Sequence, residues 1–157
     1  MRRTRFDRWP CPIARALDVI GDWWSLLIIR EALIGRRRFG EFQKSLGLAK
    51  NILTTRLRML VDEGILSTEP ASDGSAYQEY VPTDKGRGVF PILVALRQWS
   101  EAFDACPDEI DTLMVDRQTG RPVRKLELHA EDGRLLGPSD TMLKPRPPAK
   151  PKRRPPV

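Results

Sequence analysis

Apolar residues recur at helical spacing through most of residues 12–103, and the breaks in that pattern mark the elements. From Pro12 to Ile20 (PIARALDVI), Ile13, Leu17 and Ile20 fall on one face; Pro12 suits the first helical position and Gly21 the stop. A second helix is predicted from Trp23 to Ile34, with Asp22 as N-cap and Gly35 ending it. Its run Trp23, Trp24, Leu26, Leu27, Ile28, Ile29 is apolar nearly all round, which predicts a helix at the centre of the fold.

After the basic step Arg36, Arg37, Arg38 comes FGEFQKSLG, with Phe39, Phe42 and Leu46 in helical register and Gly47 as a left-handed stop. A longer helix follows from Lys50 to Glu63, ended by Gly64, with Leu53, Leu57 and Leu60 on its apolar side. Two helices joined by the tight turn Leu46 to Ala49 make a helix-turn-helix. The β-prone segments Ile65 to Glu69 and Tyr77 to Val81 flank the turn-rich stretch Ser72 to Ala76, a hairpin in the position of a wing.

Thr83 and Asp84 open a helix to about Phe103, with Val89, Ile92, Leu93, Leu96, Trp99 and Phe103 in a broad stripe and Pro91 expected to kink it. The earlier helices already fill one core, so this stripe predicts burial against a second subunit. Leu113 to Leu136 carries two turn signals, Gln118-Thr119-Gly120 and Asp132-Gly133, between short alternating runs, which predicts a small antiparallel hairpin or meander. The expected fold is mainly α with a small β wing: residues 1–107 for DNA binding and dimerisation, 108–143 as a small β extension, and 144–157 as a disordered Pro/Lys/Arg-rich tail.

Charge changes this picture once it is located. The formal net charge of +6 equals the six basic residues of the tail, Lys144, Arg146, Lys150, Lys152, Arg153 and Arg154, and without them 21 basic and 21 acidic residues remain. The neutral remainder is dipolar: from Arg36 to Arg58 there are seven basic residues and one acid, Glu41, whereas Glu101 to Asp116 holds six acids and no base. The most apolar stretch, Ile13 to Ile34, is interrupted by charge and does not make a membrane span, and no secretory signal is visible. Two cysteines make neither a disulfide framework nor a metal site, so a cytoplasmic protein is expected.

On the helix from Lys50 to Glu63, with Leu53 turned inward, Asn51, Thr54, Thr55 and Arg58 fall on the outward side. Asparagine suits adenine, arginine suits guanine or phosphate, and threonine suits phosphate or a thymine methyl. With Arg37, Arg38, Lys50 and the wing's Ser75, they are the candidate contacts to double-stranded DNA. No paired-carboxylate, Ser/His/Asp or phosphate-loop pattern accompanies them, so no catalytic residue, cofactor or metal is expected. His129 stands without Cys or His at ligand spacing and reads as a solvent-facing histidine. Trp23, Trp24 and Trp99 read as core or interface residues, with a pocket for an unknown apolar effector near the dimer interface as the alternative.

Three motifs, CPIARALDVIGDWWSLLIIREAL, RRFGEFQKSLGLAKNILTTRLRMLVDEGIL and YQEYVPTDKGRGVFPILVALRQW, resemble the HxlR-type winged helix-turn-helix regulators, relatives of the MarR group, over roughly Cys11 to Phe103. The resemblance implies a bacterial regulator that binds operator DNA as a homodimer, with Lys50 to Glu63 as recognition helix, about Glu69 to Val81 as wing, and the first and last helices of the domain as dimer contacts. The chain departs at Ala49, where Ser or Thr often caps the recognition helix, so Asn51 is expected to divide its amide between capping and DNA. The long C-terminal extension is a second departure.

Cys11 precedes Pro12 at a helix start, beside Arg8 and Arg15, a positive setting that suits thiol chemistry. It reads either as a small packing residue or as a redox or electrophile sensor. The resemblance implies that an N-terminal cysteine can sense oxidants or quinones and pair with one near the end of the last helix of the partner; Cys106 lies in the matching region. The reading that results is a sequence-specific repressor on a pseudo-palindromic operator. The alternatives are a winged-helix scaffold whose tail recruits acidic partners and a general DNA-binding protein; a thiol-dependent enzyme using Cys11 lacks catalytic partners.

Overall fold

The computed structural model describes residue 6, residues 9–103 and residues 112–145. The chain divides into two units, the first ending at Asp111 and the second beginning at Thr112. The first runs α1 (Pro12–Ile20), α2 (Trp23–Leu33), α3 (Phe39–Leu46), α4 (Lys50–Asp62), β1 (Leu66–Pro70), β2 (Gln78–Pro82), α5 (Asp84–Arg87) and α6 (Phe90–Phe103). This is a winged helix-turn-helix.

The pattern of apolar positions explains the core. Ile28 and Ile29 of α2, Phe42 of α3, Leu53, Leu57 and Leu60 of α4, and Ile65 and Leu66 at the start of the wing are all at most 1% exposed. Each such side chain contributes about 1.5–3 kcal/mol by leaving water. Asp22 starts α2 as expected, its Oδ1 accepting the Ser25 amide at 3.2 Å. Yet α2 is less buried all round than its composition predicts: Trp23 is 73% exposed and Ile34 65%. Trp23 is the first residue of α2 and Ile34 its C-cap.

Glu41 Oε2 accepts the amides of Arg37 and Arg38, each at 2.8 Å, and so satisfies donors at the start of α3. Gly47, at φ +63°, supplies the left-handed turn between α3 and α4. β1 and β2 pair antiparallel from Leu66 opposite Pro82 to Pro70 opposite Gln78, and Tyr80 N donates to Arg37 O at 2.8 Å, which docks the segment before α3 onto the wing.

The helix expected from Thr83 to Phe103 is two helices. Thr83 caps α5, accepting the Gly86 amide at 3.1 Å, and the chain then turns at Gly88 and Val89 before α6 begins. Pro91 explains the break: its ring has no N–H to donate and would clash with the carbonyl of Arg87 in a continuous helix. Gly86 is required where it stands, because a Cβ there would lie 2.2 Å from the Ile65 carbonyl oxygen.

The second unit holds turns where the sequence placed them but very little ladder. Among the described residues its antiparallel pairing is confined to the single bridges Val115 with Pro122 and His129 with Leu135, followed by a short 3-10 turn at Pro138–Asp140. Nearly every side chain from Thr112 to His129 is exposed, so no buried face stabilises longer strands, and Pro122 cannot donate to one.

Candidate nucleic-acid interface

The recognition helix α4 turns Leu53, Leu57 and Leu60 into the core and leaves Lys50, Asn51, Thr54, Thr55 and Arg58 exposed, the face expected from the helical period. Thr54 Oγ1 donates to Lys50 O at 2.8 Å and Thr55 Oγ1 to Asn51 O at 2.9 Å. With their protons used inside the helix, both threonines keep methyl groups and acceptor lone pairs for a groove, a chemistry that fits thymine methyls better than phosphates. The N-cap of α4 is Ala49, which offers no side-chain cap, and no capping bond from Asn51 takes its place. The capping half of the role expected for Asn51 is therefore not found, and the residue is exposed.

The basic patch is smaller than its count. Arg36 pairs with Glu31 at 2.9 Å, and Arg37 with Glu79 at 3.6 Å. Arg38 pairs with Asp73 at 2.5 Å and Glu79 at 3.6 Å, and Arg56 with Asp22 at 2.9 Å. Among the described residues, only Lys44, Lys50 and Arg58 of the seven bases between Arg36 and Arg58 make no ion pair. Lys44, exposed on α3, was absent from the sequence candidates although it was part of the charge count.

The wing carries three acids, Glu69, Asp73 and Glu79, and no base between Leu66 and Pro82. Glu79 is 4% exposed, held by Arg37, Arg38 and a hydrogen bond from Ser72 at 3.2 Å. The Arg38 guanidinium, with help from Ser75, holds the Asp73 carboxyl far below the usual carboxylate range. Ser75 donates its amide to Asp73 Oδ1 at 3.0 Å, and its hydroxyl oxygen is buried in the turn, not turned outward.

Two ties that support the interface have no local signature in the sequence, although Asp22 itself reads there as a cap. Glu31, 2% exposed on α2, receives Ser45 Oγ of α3 at 2.5 Å and the Arg30 guanidinium at 2.7 Å. Burial by itself would raise its carboxyl pKa; hydrogen bonds from Ser45 and Arg30, with the charges of Arg30 and Arg36, prevail and lower it. Asp22 caps α2 with one oxygen and holds Arg56 of α4 with the other, fixing the recognition helix to the start of α2.

Cys11 is exposed at the N-cap of α1; Cys106 lies outside the described residues, as do Arg8 and residues 146–157 of the tail. Ile13 and Leu17 of α1 are 71% and 50% exposed, and Ile92, Leu96, Trp99 and Phe103 form an exposed stripe along α6. Trp24 packs against the core whereas Trp23 and Trp99 lie on the surface, so the three do not form a cage. His129 Nδ1 lies 3.0 Å from Gly133 O and Nε2 3.3 Å from Glu127, and among the described residues no group of side chains could hold a metal ion. No described helix is long and apolar enough to cross a membrane.

Comparison with known proteins agrees with this geometry. The chain is 41% identical over 96 residues to the HTH-type transcriptional regulator Rv3095 of Mycobacterium tuberculosis, a match covering 61% of each chain. The crystal structure of PA1607, described as a transcription factor, superposes with a TM-score of 0.85 at 54% identity over 90% of this chain and 99% of that one. That coverage extends the likeness into the second unit. The redox regulator HypR in its oxidized form matches at 31% identity and a TM-score of 0.55, over 61% of this chain and all of its own. The family model for HxlR-like helix-turn-helix proteins matches residues 19–106, more than half of the chain, and the chain belongs to that family.

Proposed function

We propose that the protein binds a pseudo-palindromic operator as a homodimer and represses transcription by excluding polymerase. The exposed polar face of α4 carries this reading. Lys50, Asn51, Thr54, Thr55 and Arg58 stand together on one side of a helix whose other side is locked into the core. Two such helices related by a twofold axis would enter successive major grooves about 10 base pairs apart. The apolar residues left open on α1 and α6 support the dimer, since an exposed stripe of this kind is costly in water unless a second copy covers it. Residues 1–107 would then bind DNA and dimerise, with residues 108–143 as an extension and 144–157 as a tail that adds phosphate contacts.

The test is selection of bound fragments from genomic DNA followed by footprinting. A palindromic site is expected, and Arg58→Ala should weaken binding to it by about 1–3 kcal/mol. Salt-sensitive binding with no preferred site would instead favour a general DNA-binding protein.

A redox input is favoured by the exposure of Cys11 at the start of α1 and by the likeness to the redox regulator HypR. Oxidation would join Cys11 to Cys106 of the partner subunit and change the spacing of the two recognition helices. A non-reducing gel of oxidant-treated protein should show a crosslinked dimer with altered DNA affinity; a monomer band and unchanged affinity would remove the switch.

A further inference from the structure

The wing of this protein is built against the usual electrostatic expectation for an element lying near DNA: three acids and no base from Leu66 to Pro82. Its tip reaches back to Arg38, at the N-cap of α3, where the guanidinium lies 2.5 Å from Asp73. In a docked helix-turn-helix the first helix crosses the DNA backbone, so Arg38 is carried to where phosphates would be. We propose that Asp73 is an internal stand-in for a DNA phosphate, holding Arg38 in the free protein and yielding it to the backbone when a duplex docks. The proposal rests on the DNA-binding reading above and deepens it.

Three observations make the exchange feasible. The pair is open to a competing anion, its side chains 38% and 52% exposed. Departure of Arg38 strands no buried charge, because Glu79 retains Arg37 and the Ser72 hydroxyl. The wing turn also survives, because Asp73 Oδ1 keeps the Ser75 amide. The consequence is a wing that subtracts from sequence-independent affinity: each docking event must first break a pair that the free protein already enjoys. Affinity is then left to depend more on the bases that α4 reads.

The test compares wild type with Asp73→Asn in the full chain, using a random-sequence duplex long enough to span two successive major grooves and a series of salt concentrations. Asparagine keeps the acceptor for Ser75 and removes the charge that holds Arg38. The variant should bind about two- to five-fold tighter for each protomer that docks, the range an exposed pair commands. Its plot of log K against log salt should run parallel to that of wild type, because Arg38 reaches the same phosphate in both once docked, whereas Arg38→Gln should flatten the wild-type slope by about 0.9 per protomer. Asp73→Ser, which also keeps a turn acceptor, should match Asp73→Asn, and in an Arg38→Gln background Asp73→Asn should leave the affinity unmoved. Unchanged or weaker binding by either variant with an unchanged melting temperature would overturn the proposal, leaving the pair as a staple of the wing. Equal gains in both Arg38 backgrounds would also overturn it, since simple repulsion by Asp73 would then be the cause. Failure of the underlying reading looks different: wild type would bind no duplex at low salt, and Arg58→Ala would change nothing.

Discussion

Glu31→Gln offers the sharpest test of how the helix-turn-helix is held to the rest of the domain. Glu31 is a buried carboxylate on α2, reached by Ser45 of α3 and by the guanidinium groups of Arg30 and Arg36. Glutamine preserves volume and one acceptor oxygen but removes the charge that makes these hydrogen bonds strong, each worth about 1.5–3 kcal/mol when one partner is ionised. Truncating a fully buried pair costs about 3–5 kcal/mol, but both arginines are close to half exposed and rehydrate when released, so the expected loss is about 1–2 kcal/mol. Urea unfolding at pH 7 should therefore show a lower midpoint at unchanged slope.

The pH dependence gives an independent handle. The folded-state pKa of Glu31 is lowered, so its contribution is fully present above the unfolded value of about 4.3 and is lost as pH falls through the folded value. The gap between wild type and Glu31→Gln should be constant from pH 7 to about 5 and close progressively below about 4.3. A gap that stayed constant into acid, or a variant as stable as wild type at pH 7, would refute the assignment of Glu31 as an ionised tie between α2 and α3.

Gly86→Ala should lower stability by about 1–3 kcal/mol in a thermal melt, because the added Cβ meets the Ile65 carbonyl oxygen at 2.2 Å and either α5 or the start of the wing must move; a neutral result would show that the junction gives freely. Asp22→Asn retains a capping residue for α2 yet removes the charge facing Arg56. A double-mutant cycle with Arg56→Gln should give a coupling of about 1 kcal/mol, and additive effects would show the pair to be idle. Removal of the residues after Leu143 takes away six basic groups; specific binding should survive with a shallower salt dependence, and loss of specificity would mean that the tail does more than contact phosphates.

Much of the domain could be read from local pattern because the information is local. The helical period placed Leu53, Leu57 and Leu60 inward and Asn51, Thr54, Thr55 and Arg58 outward, and the turn residues around Gly47 and Ser72 to Ala76 fixed the helix-turn-helix and the wing. Pro91 signalled a distortion, though not that it would divide the helix into two. The exposure of Trp23 escaped because composition reports how apolar a helix is, not which of its positions the rest of the chain covers. In the second unit the turn residues at Gly120 and Gly133 acted as expected, but strands need a face to bury and these residues have none of their own.

The charge of the interface could not be read the same way, because ion pairs join residues that the chain brings together only on folding. Arg38 and Asp73 are 35 positions apart, and Arg56 finds Asp22 from a different helix. Counting from Arg36 to Arg58 suggests a strong electrostatic surface, yet four of its seven bases neutralise acids of the same domain. An arginine already paired gains less from a phosphate than one that was merely hydrated, since docking must replace a bond and not only displace water. The bases without such partners, Lys44, Lys50 and Arg58, are few enough that general attraction to DNA from the folded body should be modest. Discrimination between sites must then rest on the α4 face, where the amide of Asn51, the threonine methyls and Arg58 offer contacts that depend on which base stands opposite.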